Sequence, residues 1–298
     1  MTSAPTGTGI GQPVRRREDL RLITGQGSYS DDLSLPGQVY AVMLRSPHAH
    51  ARIRAIETAN ARAVPGVLAV LTGQDLQADG LGPIPHTPFS THPAEIVLHN
   101  QDGSPAFVAP HWPLPSDKAR FAGEAVAMVV ATTVAAAKDA AERIAVDYEP
   151  LPAVTDAAAA TAPGAPQLWD GAASNVCIDA VVGDPAKTEA AFAKAAHVVK
   201  LATLVQRVTG VPMEPRAAVA TYDPASGRTT LYAGGGSPVR QKHDLAGVLN
   251  VPPERVRVVM HDVGGNYGTR GGFFPEFALV AWAARRVGRP VKWTCERH

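Results

Sequence analysis

The chain has 298 residues, of which 45% are hydrophobic and 18% charged, a globular composition whose length suits two domains. Its formal net charge of +1 argues against a nucleic-acid partner or binding to an acidic membrane surface. The two cysteines are far apart, so the sequence predicts no disulfide framework. It shows no apolar leader and no apolar run long enough to span a membrane. We therefore expect a cytoplasmic location.

Residues 1–17 are expected to be a flexible lead-in, and the segment that follows alternates strands with helices. β-forming residues predict strands at 37–47 and 50–58, a short helix followed by a strand within 58–76, and strands at 121–131 and 145–154. A threonine cap followed by alanines predicts a helix at 132–144. The long intervening stretch 77–117 is rich in glycine, proline and histidine and predicts irregular structure.

The Ala-, Pro- and Gly-rich stretch at 156–174 predicts a linker between a first domain at 18–155 and a second at 175–298. In the second domain, strands are expected at 175–182 and 197–210, a hairpin at 217–235 and a strand within 252–263. Helices are expected at 184–196, 238–250 and 275–288. The last strand, from residue 289, shows no partner in the sequence, so we expect the chain to be a fragment or one product of a split gene.

The stretch "HDVGGNYGTRGGFFPE", His261–Glu276, places five glycines between a predicted strand and a predicted helix. Glycine lets backbone N–H groups approach a ligand closely, and the following helix N-terminus favours an anion. The spacing matches neither GxGxxG nor GxxxxGK[ST], which excludes the common nucleotide-binding motifs. A ligand cradle and a structural turn therefore stay equally open. Tyr267 is either a ring presented to a flat ligand or a core aromatic.

Other polar residues are more simply explained by structure than by catalysis. His48 and His50 have no further metal ligands placed beside them, and Glu124 is expected to be hydrogen bonded within an apolar strand. Glu214 and Arg216 are expected to pair with each other, while Arg270 either meets an anion or lies on the surface. The chain contains no HExxH motif and no nucleophile elbow.

Several stretches together resemble one family. "RFAGEAVAMVVA", "AVDYEPLPAV", "PMEPRAAVA" and "LAGVLNVPPERVRVVMHDVGGNYGTRGG" follow one another as in the large subunit of molybdenum hydroxylases. This superfamily comprises xanthine dehydrogenase, aldehyde oxidase and aerobic carbon monoxide dehydrogenase, and the resemblance covers residues 11–298. It implies an α+β fold, with a hammerhead-type α/β domain at 18–155 followed by the first part of a molybdopterin-binding α+β domain.

The resemblance also implies an activity. The family hydroxylates an aldehyde, an N-heteroaromatic or a similar small molecule with water as oxygen source. Its implied cofactor is molybdopterin cytosine dinucleotide with molybdenum, and electrons leave through 2Fe-2S clusters and FAD. The implied partners are an FAD-binding medium subunit, a 2Fe-2S small subunit and the remainder of the large subunit. The alternative is a non-catalytic assembly or cofactor-binding module of the same fold.

The site residues follow from the same resemblance. Gly264, Gly265, Asn266, Tyr267 and Gly268 match the family's loop beside the cofactor, with Asn266 at a glycine position and Tyr267 where a phenylalanine usually lines the substrate pocket. Gly236 stands where relatives carry a glutamine beside the metal's oxo ligand, so either water substitutes or the site is built differently. No metal ligand is implied among these residues, and the catalytic residues are expected beyond His298.

Overall fold

A computed structural model describes residues 10–11, 15–85 and 97–296 of the chain. Within them the strands form a seven-stranded sheet of order β3-β5-β1-β10-β7-β8-β9 and a three-stranded sheet of order β4-β2-β6. The strands are β1 Val39–Arg45, β2 Ala51–Glu57, β3 Val67–Thr72, β4 Lys118–Ala119, β5 Ala125–Ala131, β6 Ala145–Pro150, β7 Ala217–Asp223, β8 Arg228–Ala233, β9 Val256–Val259 and β10 Val291–Thr294.

The helices begin and end at residues that suit helix termini. The helices are α1 Asp19–Ile23, α2 Ala59–Arg62, α3 Gly73–Ala78, α4 Val134–Ala141, α5 Pro185–Lys194, α6 Pro238–Leu249 and α7 Pro275–Val287. In α6 the Ser237 hydroxyl accepts a hydrogen bond from Arg240 N–H. Helix α7 starts at Pro275 and stops at Gly288, whose φ of 64° is the left-handed conformation that glycine adopts without strain. The predicted helices at 132–144, 184–196, 238–250 and 275–288 are confirmed.

The large sheet combines strands from both halves of the chain. Strand β10 pairs in parallel with β1, through Val39 and Val291, and antiparallel with β7 on its other side. The last strand, which shows no partner in the sequence, therefore has two partners in the fold. The predicted linker 156–174 connects two regions that share this sheet, and the domain boundaries drawn there stay a prediction.

The core lies on both faces of the sheet. Along β5, Met128 and Val130 belong to the core that includes α7, whereas Val129 packs on the opposite face with Ala137 of α4. A strand buried on both faces reads as a continuous apolar run, which explains the sequence "AVAMVVA". Helix α7 is buried along most of its length, and this anchors the start of the helix that follows the glycine-rich loop.

Two predicted strands are wrong. Residues 175–182 contribute two backbone hydrogen bonds, from Phe107 N–H to Cys177 O and from Gln101 N–H to Asp179 O, but form no strand. Residues 197–210 form no strand either. β-propensity expresses packing against neighbouring strands, and the described part of the chain offers no such neighbour to 197–210.

Three further expectations concern the irregular stretch, the strand before the glycine-rich loop and membrane-spanning helices. His86 and His92, in the predicted irregular stretch, lie outside the described residues. The predicted strand within 252–263 is only β9, Val256–Val259. Among the described helices, none has the length and apolarity needed to cross a membrane.

Candidate cofactor site

Three segments meet at one end of strands β7, β8 and β9 of the large sheet, which is called here the edge of the sheet. Strands β8 and β9 are parallel, so the residues after both strands emerge on the same side. Strand β7 is antiparallel to β8, so the residues before it emerge there too. The topology thereby gathers 209–216, Gly234–Gly236 and the loop 260–274. A crevice outside the carboxyl ends of strands is where α/β sheets commonly bind ligands.

The glycines at this edge are required by close packing. A Cβ atom on Gly264 would lie 2.5 Å from Glu214 Cβ, and one on Gly235 would lie 2.1 Å from Gln241 Nε2. A Cβ on Gly236 would lie 3.1 Å from Gly271 Cα. A side chain at Gly264 would collide with Glu214 Cβ, whereas one at Gly235 would displace the end of the Gln241 side chain and one at Gly236 would require a small shift of Gly271. The glycines bring backbone from the three segments into direct contact.

The loop also contains a run of backbone donors without a partner among the described residues. Gly265, Tyr267 and Gly268 have positive φ angles of 114°, 51° and 82°. The N–H groups of residues 265–268 form no hydrogen bond with any described residue. Successive N–H groups in such alternating conformations form a concave site for anions or oxygen atoms. This observation favours the ligand cradle over the purely structural turn.

A buried ion pair supports the loop from beneath. Arg270 is 3% exposed, and its Nη1 lies 2.5 Å from Glu214 Oε2. Gly264 N–H donates to the same carboxylate oxygen at 2.7 Å, and Arg270 Nη2 donates to the Glu214 carbonyl oxygen. The predicted Glu214–Arg216 pair is therefore wrong, because Arg216 instead lies 4.2 Å from the centre of the Phe274 ring. The partner of Glu214 is Arg270, which lies 56 residues further along the chain and so could not be identified from the sequence.

The predicted site residues lie together here. A Cβ on Gly236 would lie 3.3 Å from Asn266 Nδ2, so these two positions face each other. Asn266 Oδ1 accepts a hydrogen bond from Arg270 N–H at 3.2 Å. The Tyr267 side chain is 76% exposed, which excludes the core-aromatic interpretation within this chain. A cleft of about 450 Å³ adjoins the loop, lined by Gly210, Pro212, Glu214, Thr269, Arg270, Phe274 and Cys295 among others.

A second buried amide was missed by sequence reasoning. Gln241, on α6, is 3% exposed, and neither of its amide atoms has a hydrogen-bond partner among the described residues. It lies directly beneath Gly235. Its position four residues into a helix that follows three glycines was the only available signal. The Gln241 amide therefore offers one donor group and one acceptor beside Gly235 that have no partner among the described residues.

The remaining candidates have structural roles. Glu124 accepts a hydrogen bond from Arg120 N–H at 2.5 Å, as expected, and burial raises the pKa of this carboxyl. Glu276 is buried and pairs with Arg45 at 2.7 Å, in addition to its favourable place at the start of α7. His50 Nδ1 contacts Pro152 O at 2.8 Å. No group of described side chains is arranged to hold a metal ion.

Comparison with known proteins assigns both halves of the chain. Residues 24–152 match the aldehyde oxidase and xanthine dehydrogenase a/b hammerhead domain, and residues 168–298 match the molybdopterin cofactor-binding domain. The chain belongs to the molybdenum hydroxylase large-subunit family. The predicted α+β class, a hammerhead domain followed by molybdopterin-binding structure, is confirmed. The glycine-rich loop lies within the molybdopterin-binding match.

Individual relatives agree with this assignment. Subunit gamma of the 6-hydroxypseudooxynicotine dehydrogenase complex of Paenarthrobacter nicotinovorans is 39% identical over 97% of this chain and 34% of its own length. The carbon monoxide dehydrogenase large chain of Afipia carboxidovorans is 34% identical, over 97% of this chain and 35% of its own. Quinoline 2-oxidoreductase of Pseudomonas putida 86 superposes with a TM-score of 0.83 at 36% identity, covering 97% of this chain and 35% of that one. The chain thus spans about a third of the length of these molybdenum hydroxylases.

Proposed function

We propose that the chain is the N-terminal portion of the molybdenum-binding subunit of a hydroxylase and that its glycine-rich loop contacts the cofactor. The observation that carries the proposal is the row of N–H groups at 265–268 that have no hydrogen-bond partner within the described part of the chain, inside the molybdopterin-binding match. The proposed substrate is an aldehyde, an N-heteroaromatic or a similar small molecule. Relatives named for quinoline and for nicotine support the N-heteroaromatic class.

The residues present fit such a cofactor. A phosphorylated pterin is rich in oxygen acceptors, and the loop offers backbone donors with the Asn266 amide beside them. The carboxylate at this edge, Glu214, is already neutralised by Arg270 and does not oppose an anion. When bound, the cofactor supplies two-electron redox chemistry with water as the source of oxygen. The cytosine dinucleotide form follows from the family resemblance.

Within this proposal the chain's own residues bind and orient. The N–H groups of 265–268 hold oxygen atoms of the cofactor, and the Glu214–Arg270 pair keeps the loop in the conformation that presents them. Tyr267 is the residue that we propose contacts the substrate, and its exposure at the loop supports this. Catalytic proton transfer belongs to residues outside this chain.

The proposed partners include the rest of the large subunit, and one surface suits it. Residues 197–208 form no hydrogen bond with other described residues, and their apolar side chains point into solvent: Val199 is 91% exposed and Leu204 91%. A β-forming, unpaired apolar segment is a template for strand addition. It leads directly to Gly210, where an added Cβ would lie 2.9 Å from Thr269 Cγ2 of the loop. We therefore assign this segment to docking of the polypeptide that completes the site.

The further proposed partners are an FAD-binding medium subunit and a 2Fe-2S small subunit, to which electrons pass. Support comes from the relative described as one subunit of a dehydrogenase complex and from relatives described as large chains. These partners are proposals from the family resemblance.

The test compares the chain alone with the chain co-expressed with a polypeptide that supplies the remaining two thirds of a large subunit. We expect stoichiometric molybdenum and pterin, and dye-linked oxidation of an N-heteroaromatic, only in the complex. Metal and turnover with the chain alone would contradict the need for the remainder. Tight pterin binding by the chain alone without turnover would instead support the cofactor-binding module.

A further inference from the structure

We infer that Asn266 supplies a hydrogen-bond donor to an oxygen atom of the bound cofactor, as a specificity-determining residue that replaces the missing side chain at position 236. This inference rests on the proposed function. It concerns two of the three positions at which the chain departs from the family pattern, Gly236 and Asn266, which the structure brings together.

The contact between the two positions is direct. Gly236 follows β8 and Asn266 follows β9, thirty residues later, yet a Cβ on Gly236 would lie 3.3 Å from Asn266 Nδ2 and 3.1 Å from Gly271 Cα. A larger side chain at 236 and the Asn266 amide would compete for the same space. A bare glycine at 236 is therefore the partner that Asn266 requires.

The oxygen end of the Asn266 amide has a partner within the loop, and so does the Asn266 backbone oxygen. Asn266 Oδ1 accepts from Arg270 N–H at 3.2 Å, while its backbone oxygen accepts from Thr269 N–H at 3.0 Å and from Thr269 Oγ1 at 2.8 Å. With the oxygen end occupied, the Nδ2 end faces Gly236. Nδ2 has no hydrogen-bond partner among the described residues. An amide with its oxygen end engaged and its donor end without such a partner is suited to bind an acceptor.

The direction of the donor is also chemically consistent. The neighbouring N–H groups of residues 265–268, which have no hydrogen-bond partner among the described residues, are donors as well. The Glu214 carboxylate is engaged by Arg270 and Gly264. The ligand atom expected beside Asn266 is thus an oxygen that carries negative charge or a lone pair.

The experiment uses the complex that contains the remainder of the large subunit. N266D keeps an oxygen that accepts from Arg270 N–H but replaces the donor by a charged carboxylate oxygen. N266G removes the side chain without adding charge and so separates loss of the donor from charge repulsion. G236Q/N266G moves the amide to the facing position. N60D, at an exposed asparagine of α2, is the matched control. The readouts are molybdenum per subunit, the Mo(V) electron paramagnetic resonance spectrum and turnover.

For N266D we expect molybdenum content close to that of the wild type, an altered Mo(V) spectrum and a loss of turnover of about 100-fold, as for removal of one preorganised donor. G236Q/N266G should recover about tenfold relative to N266G, because the two positions are coupled. N60D should change none of the readouts.

An unaltered spectrum and turnover in N266D, in a wild-type complex that holds molybdenum, would overturn the role of Asn266 alone. Equal activities of N266G and G236Q/N266G would overturn the exchange of positions. A wild-type complex with neither molybdenum nor pterin would overturn the proposed function together with this inference.

Discussion

The Glu214–Arg270 pair offers the sharpest test of how the loop is held. In Glu214→Gln, Oε2 loses its charge and with it two charge-assisted hydrogen bonds, from Gly264 N–H at 2.7 Å and Arg270 Nη1 at 2.5 Å. Each such bond contributes about 1.5–3 kcal/mol. Arg270, 3% exposed, is left as an unpaired buried cation. We expect the free energy of unfolding to fall by about 3–5 kcal/mol, the cost of breaking a buried pair.

The assay is urea denaturation of the purified chain, followed by the fluorescence of the buried Trp282 and Trp293. Glu149→Gln is the matched control, because Glu149 pairs with Arg52 and Arg54 on the surface at 3.5 and 3.2 Å. Exposed pairs contribute less than about 1 kcal/mol. A loss in Glu214→Gln no larger than in Glu149→Gln would refute the reasoning, and would mean that Arg270 finds another partner.

Three further predictions address other groups. The hydrogen bond from Arg21 holds the pKa of Asp262 well below its usual range. The Asp262 carboxylate therefore stabilises the fold above about pH 4, and this contribution is lost as the pH falls further. In Asp262→Asn, the urea midpoint should depend less on pH between about pH 5 and 2 than in the wild type. Burial raises the pKa of Glu124, so ionisation of this carboxyl destabilises the fold as the pH rises. Glu124→Gln should have a higher melting temperature than the wild type at pH 7 and the same melting temperature at low pH. A lower melting temperature at pH 7 would contradict this. Tyr267→Ala in the complex should change turnover while molybdenum content stays near wild type, because the ring is exposed at the loop; unchanged kinetics across substrates would remove it from the substrate pocket.

Much of the local structure could be predicted from the sequence. Pro275 and Gly288 mark the ends of α7, and the turn residues at 223–227 mark the hairpin of β7 and β8. The uninterrupted apolar run of β5 indicates a strand buried on both faces. The glycine spacing excludes the common nucleotide motifs, and the order of motifs along the chain identifies the family. The helix ends, the hairpin turn and the buried strand depend on residues within one turn or one strand of each other, and so they are visible in the sequence.

Only the tertiary structure decided which distant residues meet. β10 acquires its two partners, Glu214 pairs with Arg270 rather than Arg216, and Asn266 comes to face Gly236. Residues 197–210 carry strand propensity yet pair with no other described segment, and a strand forms only where a second one lies beside it. The physical reason is the same in each case. Helix periodicity and turn chemistry act between near neighbours, whereas sheet pairing and buried ion pairs join segments whose meeting depends on how the whole chain folds.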